Sequence, residues 1–257
     1  MILGYIKNLK YDKEEIVRKR NVIRNEFIIK SENVSSGRLT QMSNEDLKVL
    51  FSLYDEEFFG GYFNTKFIGC LKFSLSTRMT SAAGKTIYSR KIKELQEDEE
   101  NYEIRMGIKF FFEYYKVERE KIVSGISTKD SLEAFQIVFE HELCHLLELH
   151  IFKESSCKKQ RFKIMVYKLF GHTEVNHQLP SQKEIVSEKY GIIIGQRVSF
   201  FSEGKKYNGF IHKINKKATV MVLDKDGTYR DAPGNKYSKR YVSFENIIFN
   251  KNNHIMT

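Results

Sequence analysis

Residues 130–150 read DSLEAFQIVFEHELCHLLELH, and how this stretch is read decides the rest of the chain. Asp130 followed by Glu133 is the pattern of a helix N-cap with its reciprocal partner, and Leu132, Phe135, Val138, Phe139, Leu143, Leu146 and Leu147 recur at helical spacing. At about 100° per residue these side chains sweep roughly half of the helical wheel, with His141 and His145 at one border. Two histidines four residues apart stand on one side of a helix, where both imidazoles can reach one zinc ion. Glu142 completes an HExxH run and falls inside the apolar arc. A carboxylate there is costly unless a cation with its bound water compensates it. Desolvation raises its pKa, which suits a group that takes up and returns a proton near neutral pH. The run therefore points to His141 and His145 as zinc ligands and Glu142 as the general base of a hydrolytic reaction. The competing reading, a core helix with two incidentally spaced histidines, leaves Glu142 without an explanation.

The chain has 257 residues, 41% of them hydrophobic and 20 of them Phe, enough for packed cores in one large or two modest domains, which excludes a disordered chain. No run of about 18 apolar residues occurs, and the apolar patch in residues 1–9 is too short for a secretory signal, so a soluble, cytoplasmic protein without a membrane partner is expected. Cys70, Cys144 and Cys157 form no CxxC pair and are odd in number, which fits a reducing compartment. A formal charge of +10 favours polyanionic partners.

Residues 1–42 form a basic extension with a helix expected over 11–27 and no readable role. A second helical pattern runs from Asn44 to the stop at Gly60 and Gly61. Strands are expected at 66–75, 84–88 and 102–106, with the acidic run 94–100 as a solvated hairpin tip. Further helices are expected at 109–115, 130–150 and 163–170, the last capped by Gly171. Pro180 opens a connector, 180–191, with a helix over 182–190. Residues 192–257 then alternate as strands at 197–201, 207–214, 218–223 and 240–244, with a tight turn at Asp226 and Gly227, the pattern of a small SH3-like or KOW-like β-barrel. This segment holds twelve Lys and Arg against five acids, +7 of the chain's +10. Lys205, Lys206, Lys213, Lys216, Lys217, Lys239 and Arg240 are its candidate DNA or RNA contacts, interleaved with Tyr207, Phe210, Tyr229, Tyr237 and Tyr241. A solvated barrel with aromatic core residues is the plainer alternative.

Several motifs occur in a telling order: Tyr54, Phe58, Phe59 and Gly60; Ser81, Ala82, Ala83 and Gly84; Ile104, Arg105 and Met106; His141, Glu142, His145, Leu146 and Leu147; then Phe162, Phe170 and Gly171. Over residues 46–178, about half the chain, this set resembles the SprT-like zinc metalloprotease family, which includes the Spartan proteases acting on DNA–protein crosslinks. The resemblance implies an α+β zincin domain over 43–179 with a small, mainly antiparallel sheet beside the motif helix, a Zn2+ cofactor, and a protein or peptide substrate. It also places Ala83 and Gly84 beside the cleft, where small side chains let a substrate backbone pair with a strand edge.

The family's third zinc ligand is a histidine four residues before the aromatic matching Phe162, and here that position is Lys158, followed by Lys159. A lysine ammonium does not ligate zinc. Cys157, one residue away and carrying a thiol that zinc favours as thiolate, is the first substitute. His172, about 15 Å away along the next helix axis, is another, though it also suits a helix C-terminus. His150, projecting about 140° from His145, and Glu154 complete the candidates, beside a two-histidine site finished by water and a site with no stable metal. The leading expectation is a zinc metallopeptidase acting on nucleic-acid-bound proteins. Its rivals are a non-catalytic nucleic-acid-binding protein on a degenerate zincin scaffold and a protein-interaction adaptor.

Overall fold

The Asp12 carboxylate accepts the Glu15 amide and starts helix α1 (Lys13–Lys30), the first element of the computed structural model, which describes residues 8–249. Residues 1–7 and 250–257, Lys251 of the basic count among them, lie outside the described residues. The fold is mixed α+β and divides into two compact units, Met1–Leu179 and Pro180–Thr257.

In the first unit α1 buries Ile23 and Phe27 in the same core as the motif helix, so no domain boundary falls at residue 42. The basic composition of residues 1–42 conceals this, because most charges of α1 lie outside while its inner side carries Ile16, Ile23 and Phe27 together with one buried cation, Arg20. Helix α2 (Asn44–Phe59) opens on a Ser43–Asp46 capping box and closes at Gly60, whose φ of 61° needs a residue without Cβ strain. A short helix α3 (Tyr62–Thr65) follows. Strands β1 (Cys70–Leu75), β2 (Gly84–Tyr88) and β3 (Asn101–Met106) form one sheet in the order β1-β3-β2. β3 pairs parallel with β1 and antiparallel with β2, so the sheet is mixed, not mainly antiparallel as expected. A strand inserted between two neighbours of opposite direction must match one of them. The outer edge of β2 has no strand partner among the described residues.

The acidic run also departs from expectation. Glu97–Glu99 forms a 3-10 turn, but Glu100 is fully buried, accepting the Tyr102 hydroxyl at 2.6 Å and lying 3.0 Å from His150 Nδ1 and in an ion pair with Lys153. Charge and donors from the end of the motif helix replace its solvent. Helix α4 (Lys109–Phe112) is followed by a hairpin that sequence reading missed, β4 (Lys121–Val123) and β5 (Ile126–Thr128), turning at Ser124 and Gly125 with φ of 52° and 80°. Three-residue strands are too short to show alternation.

Helix α5 (Ser131–Phe152) is the motif helix, N-capped by Asp130 and ended by Lys153 in the left-handed region. Phe135, Phe139, Leu143 and Leu146 are fully buried, each contributing about 1.5–3 kcal/mol of transfer free energy. Helix α6 (Gln160–Phe170) packs beside it and ends at Gly171.

The second unit begins with α7 (Gln182–Tyr190) under a Ser181–Glu184 capping box. Strands β6 (Arg197–Ser202), β7 (Lys205–Ile214), β8 (Ala218–Leu223), β9 (Tyr229–Arg230), β10 (Lys236–Val242) and β11 (Ile248–Phe249) pair antiparallel in the order β11-β6-β7-β8-β10-β9. The strand expected at 240–244 starts earlier, and Phe244 instead opens a 3-10 turn. Val198, Phe200, Ile211 and Val220 lie in its core. No helix of the described residues is long and apolar enough to cross a membrane.

Candidate metal centre

One turn of α5 brings His141 Nε2 and His145 Nε2 to 3.2 Å. Both rings lie against Phe162, at 4.9 and 4.3 Å between centroids, so α6 supplies an apolar wall. Burial holds both imidazoles neutral: it lowers His141 to about 3, with the His145 ring adding to the shift, and His145 to about 4.

The chain after α5 turns back because Glu148 gathers it. This fully buried carboxylate accepts the Ser155 hydroxyl at 2.6 Å, the Ser156 amide at 3.1 Å and Arg161 Nε at 2.7 Å. The loop so folded carries Cys157 to the histidine pair, and the donor atoms of His141, His145 and Cys157 lie within 4.8 Å of one another. This cluster can hold a metal ion. Ser155 also fixes a tautomer. Its proton goes to Glu148, so its oxygen accepts Nδ1–H of His145 at 2.7 Å, which leaves the His145 Nε2 lone pair turned toward the cluster. His141 Nδ1 is buried without a hydrogen-bond partner among the described residues, so this outer support falls on His145.

The other substitutes weighed for the third ligand are engaged elsewhere. His172 is buried with Nε2 2.8 Å from Glu140, so it neither joins the cluster nor merely caps a helix. His150 lies between Tyr62 and Glu100, and Glu154 pairs with Lys159 and Arg161. Lys158 is exposed.

Glu142 is 4% exposed, and burial raises its carboxyl to about 7 against the opposing hydrogen bond from Thr86 Oγ1 at 2.8 Å. Gly84 lies against it: a Cβ there would sit 2.7 Å from Glu142 Cγ and Oε1. A cleft of about 430 Å³ opens here, with Ala83 and Gly84 on one side and Val138, His141 and Glu142 beneath. Its other wall, Val123, Ser124, Asn176 and His177, is zipped together by Ser124 N–H to Asn176 O at 2.8 Å and Gln178 N–H to Ile122 O at 2.7 Å. Ala83 is itself buried, and its carbonyl accepts the Gly107 amide at 2.7 Å.

No protein-family model, curated protein or solved structure matches the chain.

Behind the cluster, Glu140 is wholly buried and accepts Arg20 Nε at 2.8 Å, Arg20 Nη2 at 2.7 Å and the Tyr54 hydroxyl at 2.8 Å, beside His172. Burial drives its pKa up, but the Arg20 charge and the His172 and Arg20 hydrogen bonds outweigh this and hold it below the usual carboxylate value. Residues 1–42 therefore supply the counter-charge for the residue that precedes His141. Sequence reading missed Arg20, Thr86, Glu148, Ser155 and Asn176. A buried-side Glu148 at i+3 from His145 was the one signal available; the rest are gathered from distant segments.

The seven basic residues singled out in the second unit do not form one cluster. Pairing register sets Lys206, Lys213 and Lys239 on the sheet face away from the core, and Lys205 and Arg240 on the opposite parity, while Lys216 and Lys217 lie in the β7–β8 turn.

Proposed function

We propose that the chain is a zinc-dependent metallopeptidase of SprT-like type, with His141, His145 and Cys157 as metal ligands, Glu142 as general base and a protein or peptide as substrate. The observation that carries this reading is the buried Glu142 carboxylate, lining a cleft beside a His/His/Cys cluster. Zinc would suit the donor set, two neutral imidazole nitrogens 3.2 Å apart and a thiol sulfur, all within 4.8 Å of one another, which His141, His145 and Cys157 would offer it. When bound, zinc supplies Lewis acidity that acidifies water and polarises a peptide carbonyl.

Glu142 takes the proton of the attacking water and returns it to the leaving amine, which a pKa near 7 permits in both directions. Thr86 holds the carboxylate in place, and the bare Cα of Gly84 leaves it room. The open edge of β2 offers backbone groups to an extended substrate. His177 lines the same cleft, and its Nδ1 accepts the Leu179 amide at 3.4 Å.

Zinc content of protein purified without added metal, together with peptide hydrolysis by wild type and Glu142→Gln, tests this. Stoichiometric zinc lost in His145→Ala, with hydrolysis lost in Glu142→Gln, is expected. Zinc no higher than in His145→Ala, or equal hydrolysis by Glu142→Gln, sinks the proposal. The exposed Lys158 at the family's ligand position favours a second reading, a non-catalytic nucleic-acid-binding protein on the same scaffold, for which Glu142→Gln changes nothing.

A further inference from the structure

The β-sheet of the second unit has one face too many for its core. Val198, Phe200, Ile211, Val220 and Val242 fill the inner side. Strand alternation sends their neighbours to the other side, and register lines those up in rows: Arg197, Phe210, Met221 and Lys239; Lys213, Thr219 and Tyr241; Leu223, Tyr237 and Tyr229; Phe201 and Lys206; of these Met221 and Thr219 are buried and the others half-buried or exposed. The outer face thus carries five aromatic rings and four cations. None of the rows contains an acid. Asp231 touches the margin, where it accepts the Tyr237 hydroxyl at 2.9 Å and the Asn235 side chain at 2.9 Å.

In three separate rows, Phe201 is 59% exposed, Tyr241 70% and Leu223 70%, so each row presents an apolar or aromatic group to solvent. The rings are also held edge to face and under cations: Phe210 meets Tyr237 at 5.5 Å, nearly perpendicular, and Lys239 Nζ sits 3.7 Å above the Tyr229 ring. Rings alone would suit another protein. Rings interleaved with cations, in a segment of net +7, fit a polyanion whose flat groups are free to stack.

We propose that this outer face binds single-stranded nucleic acid, its bases stacking on Phe201, Tyr241 and Tyr229 and its phosphates paired with Arg197, Lys206, Lys213 and Lys239. A duplex offers only its phosphates, because its base faces are already stacked inside the helix. The inference goes beyond the peptidase reading and does not depend on it, since none of these residues belongs to the first unit.

Fluorescence anisotropy of the full chain with labelled single-stranded oligonucleotides of thymidine and of uridine, and with a mixed-sequence DNA duplex, tests it. Tighter binding of single strands than of duplex is expected, with log K falling against log salt at a slope of about −3 for four phosphate contacts at about 0.7 each. Phe201→Ala and Tyr241→Ala, both at exposed positions, should each weaken single-strand binding about 5- to 150-fold while leaving duplex binding unchanged. Lys206→Ala should lower both and flatten the slope by about 0.7. Circular dichroism melts confirm that the variants fold. The thymidine and uridine arms distinguish DNA from RNA as the source of the strand. Wild-type affinity in the Phe201→Ala, Tyr241→Ala double variant, tighter duplex binding, or no binding at low salt overturns the proposal, the last pointing to a protein on this face.

Discussion

Replacing Glu142 by Gln in metal-free protein should make the chain more stable at high pH and leave it unchanged at low pH. The structure gives the size. Burial raises the folded-state pKa of Glu142 from 4.5 to about 7, so the folded state holds the proton more tightly than the unfolded chain. A raised pKa contributes stability that is full below pH 4.5 and is lost as pH rises through 7. A rise from 4.5 to about 7 makes the ionised carboxylate cost about 3 kcal/mol by pH 9. Gln keeps the shape and never ionises, so every other titrating group cancels in the difference between the two proteins. Urea unfolding in chelator, followed by helix signal at several pH values from 4 to 9, reads this directly, because most of the helix lies in the first unit. The stability of Glu142→Gln relative to wild type should climb by about 3 kcal/mol across that range. A flat difference would refute the reasoning that burial, not a compensating neighbour, sets the state of Glu142. Saturating zinc should shrink the effect, since a nearby cation favours the charged form.

Three further outcomes follow from the geometry. Gly84→Ala places a Cβ 2.7 Å from Glu142, so the carboxylate must move by several tenths of an ångström; hydrolysis should fall about 10- to 100-fold with zinc content unchanged. Ser155→Ala removes the group that orients His145 and helps to fold the Cys157 loop, and zinc affinity by competition with a chelator should drop about 10- to 100-fold. Arg20→Met leaves Glu140 buried without its cation; a loss of about 3–5 kcal/mol in unfolding free energy is expected, partly restored by Glu140→Gln in the same chain.

The sequence alone determined α5 and most of what it carries. A capped, periodic run long enough to repeat its apolar face leaves little choice of conformation, and helical spacing then fixes His141 beside His145 and turns Glu142 inward. The long alternating strands of the second unit were legible for the same reason, down to the bounds of β8. Tertiary structure decided the rest. Whether Cys157, His172, His150 or Glu154 reaches the histidine pair depends on where the chain goes after α5, and that is settled by Glu148 gathering Ser155, Ser156 and Arg161. Glu100 reads as solvated until Tyr102, His150 and Lys153 surround it, and residues 1–42 read as an appendage until Arg20 meets Glu140. Periodicity is a local property that a sequence displays openly; the pairing of buried charges joins residues as far apart as Arg20 and Glu140, and only the folded chain brings them within reach.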